Sequence, residues 1–280
     1  MQTEEIKNCG PLEAFAALRH LPRAFIFARG FDASARHSCV GAEPFITVET
    51  DINGTTVQRE RSAPRSSSKD PFDTISGLLH GLKNDSKKPF PFSGGMAGYF
   101  AYELKDVISG RIPKKDALGI PLCMAGIYDT VFIYDHHEKT GHLLRSGIDG
   151  NGAERFKRIK DAINGRTALP EISLAVAEER SLSNVTKAEY VRMIRKAHEY
   201  IADGDIYQIN LSRRLQIPWK GDAFSLFHWL LKNRPAPFAS FMECGGFQII
   251  SNSPERLLKV SAGVAETSPI KGTRPRGKTP

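Results

Sequence analysis

Cysteine is scarce in this chain. Four occur in 280 residues (Cys9, Cys39, Cys123, Cys244), far apart and with no C-x-x-C pair. That spacing leaves metal-site and redox readings without support, and reduced, mostly buried thiols are expected. Long apolar runs are missing too: none reaches the roughly 18 residues that a membrane helix needs. The N-terminus, "MQTEEIKNCG", carries acidic residues where a secretory leader has basic ones followed by an apolar core. A cytoplasmic protein is therefore expected. No internal repeat at a fixed period is present. Concentrated positive charge is also lacking, although the net charge is +8, because the cations are scattered through "RERSAPR", "KNDSKK", "RFKRIK" and "KGTRPRGK". Without a basic helix interleaved with aromatics, or a nucleic-acid motif, nucleic acid is not the expected partner. The excess suits a small polyanionic substrate, or an acidic portion of the molecule elsewhere.

What the chain does have is an ordinary globular composition, 40% hydrophobic and 25% charged, with length for one large or two ordinary domains. "AFIFARGF" and "CVGAEPFITVETDINGTTVQ" alternate apolar and polar positions and read as strands, with a hairpin signal at Asn53-Gly54. "RERSAPRSSSKD" reads as an exposed loop, and "DPFDTISGLLHGL" as a helix with Asp70 as N-cap and Pro71 at its first position. "GIYDTVFIYDHHEKTGHLL" reads as a strand pair turning between His136 and Gly141, and a helix then a connecting segment fill 150–180. "TKAEYVRMIRKAHEYIADGD" is the clearest helix: Thr186 and Glu189 form a capping box, and Gly204 sits at the C-terminal cap. "DIYQINLSRRLQI" reads as a strand, "FSLFHWLLKN" as a helix, and "FASFMEC" and "FQIISNS" as strands. Strands arriving as hairpins rather than βαβ units argue for an α+β fold with largely antiparallel sheets.

Gly272 to Thr279, "GTRPRGKT", matches the phosphate-loop pattern G-x-x-x-x-G-K-[ST]. A phosphate loop needs a buried strand before the first Gly and a helix after the Lys-Thr. Here "ERLLKVSAGVAETSPI" gives two short strand-like runs and then a proline, Pro275 removes an N–H donor, and Pro280 follows Thr279. The match is read as accidental.

Polar groups concentrate elsewhere, in Gln208/Asn210/Ser212/Arg213/Arg214, in "SNSPER" (Ser251 to Arg256) and in "SPIKGTR" (Ser268 to Arg274). A polar group on the buried face of a strand costs about 1–3 kcal/mol unless paired, so such a cluster marks a site or an internal network. Lys271, between Ile270 and Gly272, could act as a nucleophile if a partly dry pocket holds its amine, with Glu255 as carboxylate partner. Surface charge for Lys271 and a structural Glu255–Arg256 pair are the plain alternatives.

In this order, "GDIYQINLSRR", "SNSPERLLKV" and "TSPIKGTRPR" resemble the chorismate-utilising enzymes, as do "GAEPF", "PFSGGMAGYFAYEL" and "GIYDTVFIYDH" in the N-terminal half. The resemblance runs over most of the chain. It implies an antiparallel-sheet α/β sandwich, with 1–180 as the N-terminal region and 181–280 as the first part of the chorismate-binding domain. Two positions sort the family. Lys271 stands where anthranilate synthases carry alanine and aminodeoxychorismate synthases lysine, and Gln208 stands where isochorismate and salicylate synthases carry lysine. Together they imply amination of chorismate to 4-amino-4-deoxychorismate, on the way to 4-aminobenzoate and folate. Lys271 would be the nucleophile and Glu255 the acid. Gln208, Asn210, Ser253, Gly272 and Thr273 would shape the substrate pocket. Mg²⁺ would be the cofactor and a glutamine amidotransferase the ammonia-supplying partner. Anthranilate synthesis, or a non-catalytic remnant that docks the amidotransferase, are the alternatives. The family continues past this point with a half that supplies the metal ligands, so a truncated chain, inactive alone, is expected. Its regulatory tryptophan pocket would map to Arg29, Arg36, Pro237 and Phe238; Arg29 stands in place of a serine, so tryptophan is not expected to bind.

Overall fold

The computed structural model describes residues 1–29, 36–67, 70–82, 90–111, 118–175 and 181–272. It divides into two units, Met1–Pro170 with Phe227–Pro280, and Glu171–Leu226. The first opens with β1 (Gln2–Ile6), α1 (Pro11–Leu18), β2 (Phe25–Arg29) and β3 (His37–Gly41). The hairpin signalled by Asn53-Gly54 is β4 (Ile46–Asp51) and β5 (Gly54–Arg59), with Asp51 opposite Gly54. One correction follows: the polar stretch read as a loop contains β6 (Arg65–Ser67), paired to β5 at the sheet edge. Its ladder is made by backbone groups, which the polar side chains neither reveal nor prevent.

α2 (Pro71–His80) starts as expected, with Asp70 Oδ1 accepting from the Phe72 N–H at 2.8 Å and Pro71 in the first turn. β7 (Gly95–Phe100), α3 (Leu104–Ile108), β8 (Cys123–Tyr128), β9 (Thr130–Asp135), β10 (Thr140–Arg145) and α4 (Ala153–Asn164) follow. In the second unit lie β11 (Leu182–Ser183), α5 (Lys187–Ala202) and β12 (Leu215–Gln216). The division falls within α6 (Ala223–Asn233), and the first unit resumes with β13 (Phe238–Glu243), β14 (Gln248–Ser253), β15 (Arg256–Ser261) and β16 (Val264–Ser268).

Two large antiparallel sheets and the separate β15–β16 hairpin make the first unit: seven strands in the order β1-β10-β9-β3-β2-β13-β14, and five in the order β6-β5-β4-β8-β7. Alternate residues of a strand share a face, and the sequence places apolar groups on both faces of the central strands. One face of the larger sheet meets α1, which buries Ala14, Phe15 and Leu18, and the Phe15 ring lies 5.1 Å from that of Phe241. α4 packs beside α1 through Phe156, Ile159 and Ile163, apolar at helical spacing. The other face forms the core between the sheets, where Phe25, Cys39, Val131, Ile133 and Met242 meet Ala97, Met124 and Tyr128. Beyond the smaller sheet, Val48 and Cys123 pack with Ile75 of α2 and Leu104 of α3. The layering is helix, sheet, sheet, helix, an antiparallel α+β sandwich as the sequence implies.

Gly126, inside the "GIYD" stretch, has a packing reason. A Cβ there would lie 2.7 Å from Pro44 and 2.8 Å from the Tyr128 hydroxyl, so two of the recognisable motifs touch at a residue without a side chain. All four cysteines are free and buried, and burial pushes the Cys9, Cys123 and Cys244 thiols up to about 11. No helix among the described residues is long and apolar enough to cross a membrane.

In the second unit, α5 carries the expected capping box. Glu189 N–H donates to Thr186 Oγ1 at 3.2 Å and Thr186 N–H donates to Glu189 Oε2 at 2.8 Å. These bonds hold the Glu189 carboxyl below its ordinary value. Gly204, at φ 81°, follows the C-cap Asp203. Only Ala197 of this helix is buried, and Val191, Ile194 and Ile201 remain between 37% and 46% exposed.

Candidate functional site

Ser253 ends β14 opposite Phe238 of β13. Pro254, which has no N–H for a ladder, stops the strand there. Glu255 follows, exposed, and Arg256 begins β15. β15 turns into β16 through Ala262 and Gly263, both at positive φ (49° and 78°), with Ser261 opposite Val264. This is the two-residue turn whose twist suits a hairpin. Three residues past Ser268 lies Lys271, exposed, beside an Ile270 that is 61% exposed. The described residues therefore do not form the partly dry pocket expected around its amine. Gly272 is also exposed, with nothing within 4 Å of a Cβ placed there.

Beside this segment is a cavity of about 410 Å³. Phe27, His37, Phe238, Ser240, Ser251, Ser253, Glu255 and Arg256 contribute to its wall. Phe27, His37, Phe238 and Ser240 alternate with the strand positions facing α1, so the cavity lies on the side of the larger sheet that faces the core between the sheets. The Arg256 guanidinium sits 4.7 Å over the Phe238 ring and pairs with Glu266 of β16. Burial lowers the His37 pKa from its ordinary value, against the pull of Asp135 at 3.5 Å. The Asp135 carboxyl lies well below the usual carboxylate range. Arg36 Nε donates to it at 2.7 Å, and the His137 and Glu138 N–H groups add to the effect.

In the second unit the expected strand at Asp205–Ile217 is corrected. Only Leu215–Gln216 is a strand, paired with Leu182–Ser183, and 206–214 has no ladder partner among the described residues. Alternation alone does not make a strand. Tyr207 is 95% and Ile209 47% exposed on one face, and Gln208, Asn210 and Ser212 are exposed on the other, so neither face of the segment is covered. Gln208 and Asn210 are both exposed, with Gln208 Nε2 donating to Asn210 Oδ1 at 3.4 Å. The segment is held by the Arg214 N–H, which donates to Asn184 Oδ1 at 2.8 Å, and by the Tyr190 hydroxyl on the Leu211 carbonyl at 3.4 Å.

Residues 26–280 match the family described as chorismate binding enzyme. The chain belongs to that family. Among its relatives are anthranilate synthase component 1 of Acetivibrio thermocellus, 30% identical over 96% of this chain and 58% of the relative, and aminodeoxychorismate synthase component 1 of Escherichia coli K12, 30% identical over 94% and 57%. The chain thus spans a little over half the length of these curated relatives. The crystal structure of anthranilate synthase component I from Streptococcus pneumoniae TIGR4 superposes with a TM-score of 0.70 at 23% identity, over 82% of this chain and 53% of that one. That likeness bears on the fold, which is the one the chain adopts.

Chorismate binding enzyme motifs are thus divided between the two units. Ser253, Glu255, Lys271 and Gly272 stand in the first, and Gln208 and Asn210 in the second. Thr273 and the rest of the phosphate-loop pattern lie outside the described residues. Of the positions mapped to a regulatory pocket, Pro237 and Phe238 line the cavity and Arg29 is opposite Phe238 in the ladder. Arg36 is not part of that wall, because Asp135 draws its guanidinium away. Phe27 and His37 belong to the wall and were not singled out from sequence; Arg256, read there as a possible partner of Glu255, pairs with Glu266. Cross-strand neighbours from β2 and β3 carry no local signal, although Phe27 and His37 do share the alternation of their strands. For Mg²⁺, no group of three His, Cys, Asp or Glu side chains that could hold a metal ion occurs among the described residues. The described residues do not fit that ion, and no step below is routed through it.

Proposed function

We propose that the protein aminates chorismate at C4 in the manner of the aminodeoxychorismate synthases. The observation that carries this is Lys271 in "PIKGT", supported by Gln208 in "YQINLS" and by relatives of that name at 30–32% identity over 94–95% of the chain. In this reading the neutral Lys271 amine adds at C2 of the ring while the C4 hydroxyl leaves as water, taking a proton from Glu255. Ammonia then adds at C4 and expels the lysine, so the net change is water for ammonia. A glutamine amidotransferase partner supplies the ammonia. Splitting one displacement into two lowers each barrier, which is what a covalent intermediate offers.

The proposal includes a need for further polypeptide, from the same chain or added to it. Leu257, Tyr207 and the apolar stripe of α5 are exposed, and Lys271 has no enclosing wall among the described residues. Residues 1–280, and any longer natural polypeptide containing them, should be incubated with chorismate, Mg²⁺ and ammonium salt and the products resolved by LC–MS. Formation of 4-amino-4-deoxychorismate that disappears in Lys271→Ala supports the reading. Anthranilate as product would make the protein an anthranilate synthase, and no aminated product in any form would refute amination.

A further inference from the structure

The hairpin β15–β16 is poorly anchored by apolar contact. Leu257 is 89%, Leu258 61%, Val260 65% and Val264 67% exposed. The Arg256 side chain reaches from it to the seven-stranded sheet, where its guanidinium lies 4.7 Å over Phe238. The same guanidinium pairs with Glu266, and Thr267 Oγ1 donates to the Arg256 carbonyl at 3.4 Å, so Arg256 binds both strands of the hairpin. Only 22% of its side chain is exposed. Phe238 is also the ladder partner of Ser253. Glu255 therefore sits between two points fixed on one residue: Ser253 through the backbone ladder, Arg256 through the ring face.

We propose that Arg256 is a positioning residue, whose seat on Phe238 fixes Glu255 at the wall of the cavity and sets the course of the hairpin that leads to Lys271. The seat requires a cation and not only a long stem, because the attraction is between positive charge and the negative face of the ring. The catalytic consequence rests on the proposed role of Glu255; the anchoring does not.

The test has two arms. Hydrogen exchange followed by mass spectrometry on the whole chain compares wild type with Arg256→Met, which keeps the stem and removes the charge, and with Arg256→Lys and Phe238→Leu. In Arg256→Met the amides from Arg256 to Ser268 should exchange about tenfold faster while β13 and the Gln248–Ile250 part of β14 are unchanged. Arg256→Lys should recover most of the protection, and Phe238→Leu combined with Arg256→Met should add little to either alone. Unchanged exchange in Arg256→Met, or no recovery with lysine, overturns the anchoring. In the amination assay, Arg256→Met should lower kcat about tenfold or more at little-changed chorismate KM, and Arg256→Lys should restore it. Wild-type turnover in Arg256→Met, where Glu255→Gln abolishes it, overturns the positioning. If neither residues 1–280 nor any longer natural polypeptide containing them forms an aminated product, the amination reading falls and the exchange arm alone decides.

Discussion

Asp129 is fully buried, and one of its oxygens collects most of a loop. Oδ1 accepts from the Ser146 hydroxyl at 2.6 Å, the Gly147 N–H at 2.8 Å and the Asp149 N–H at 3.3 Å; Oδ2 accepts from Arg145 Nε at 3.2 Å. Asp129→Ala would leave two backbone donors, a hydroxyl and a guanidinium without this partner, three of them on one vanished oxygen. Hydrogen bonds to a charged group contribute about 1.5–3 kcal/mol each and share a single acceptor here, so a loss of about 4–5 kcal/mol is expected. Asp129→Asn keeps a carbonyl oxygen for the three donors on Oδ1 and turns an NH₂ toward Arg145, so about 2 kcal/mol is expected. Urea denaturation followed by far-UV circular dichroism measures both, with the m value checking that the denatured state is unchanged. Asp129→Ala within about 1 kcal/mol of wild type, or equal to Asp129→Asn, would refute the reasoning that the acceptor geometry rather than the charge alone organises residues 145–149.

Ala262 adopts φ 49° in the β15–β16 turn, where Asn is tolerated and Ala strained. Ala262→Asn should stabilise the hairpin by about 0.5–1 kcal/mol, read as slower amide exchange of its strands. Arg155, 2% exposed, pairs with Asp149 at 2.6 Å and with Glu60. Arg155→Met should cost about 3 kcal/mol in the same denaturation assay, toward the low end because Glu60 can turn to water. Asp135 has a depressed folded pKa, so its contribution is present above the ordinary carboxylate range and lost as pH falls through about 4 and below. His37 has a lowered folded pKa, so protonation opposes folding, and stability falls as pH drops through 6.5 and below. Melting temperature against pH should lose the lower limb in Asp135→Asn and flatten the upper one in His37→Gln.

Local signals made much of this fold legible. Asp70-Pro71, Thr186/Glu189 and Asn53-Gly54 each satisfy or orient backbone groups within a few residues, so the helix starts and the hairpin could be read directly. β1 could not: "QTEEI" carries two glutamates and lies at a sheet edge, where pairing to β10 asks little of the side chains. The opposite error occurred at 206–214, where alternation was present and a neighbouring strand was not. For the candidate site, Glu255 and Lys271 stood out within two clusters of polar residues, Ser251 to Arg256 and Ser268 to Arg274. Phe27 and His37 became visible only through the sheet order, since β2 is placed beside β13 by contacts far apart in sequence.

That pairing of β2 with β13, Phe25 opposite Met242, bears on how the molecule is made. During synthesis the N-terminal strands leave the ribosome long before β13 does, so β2 waits with one open edge until β13 has been translated. The larger sheet is thus closed late, across a long loop, and folding to completion should be slow relative to helix formation in α4 or α5. A stalled or prematurely ended polypeptide would present the β2 edge and the Phe25 ring to solvent, making it a substrate for chaperones rather than a smaller version of the protein.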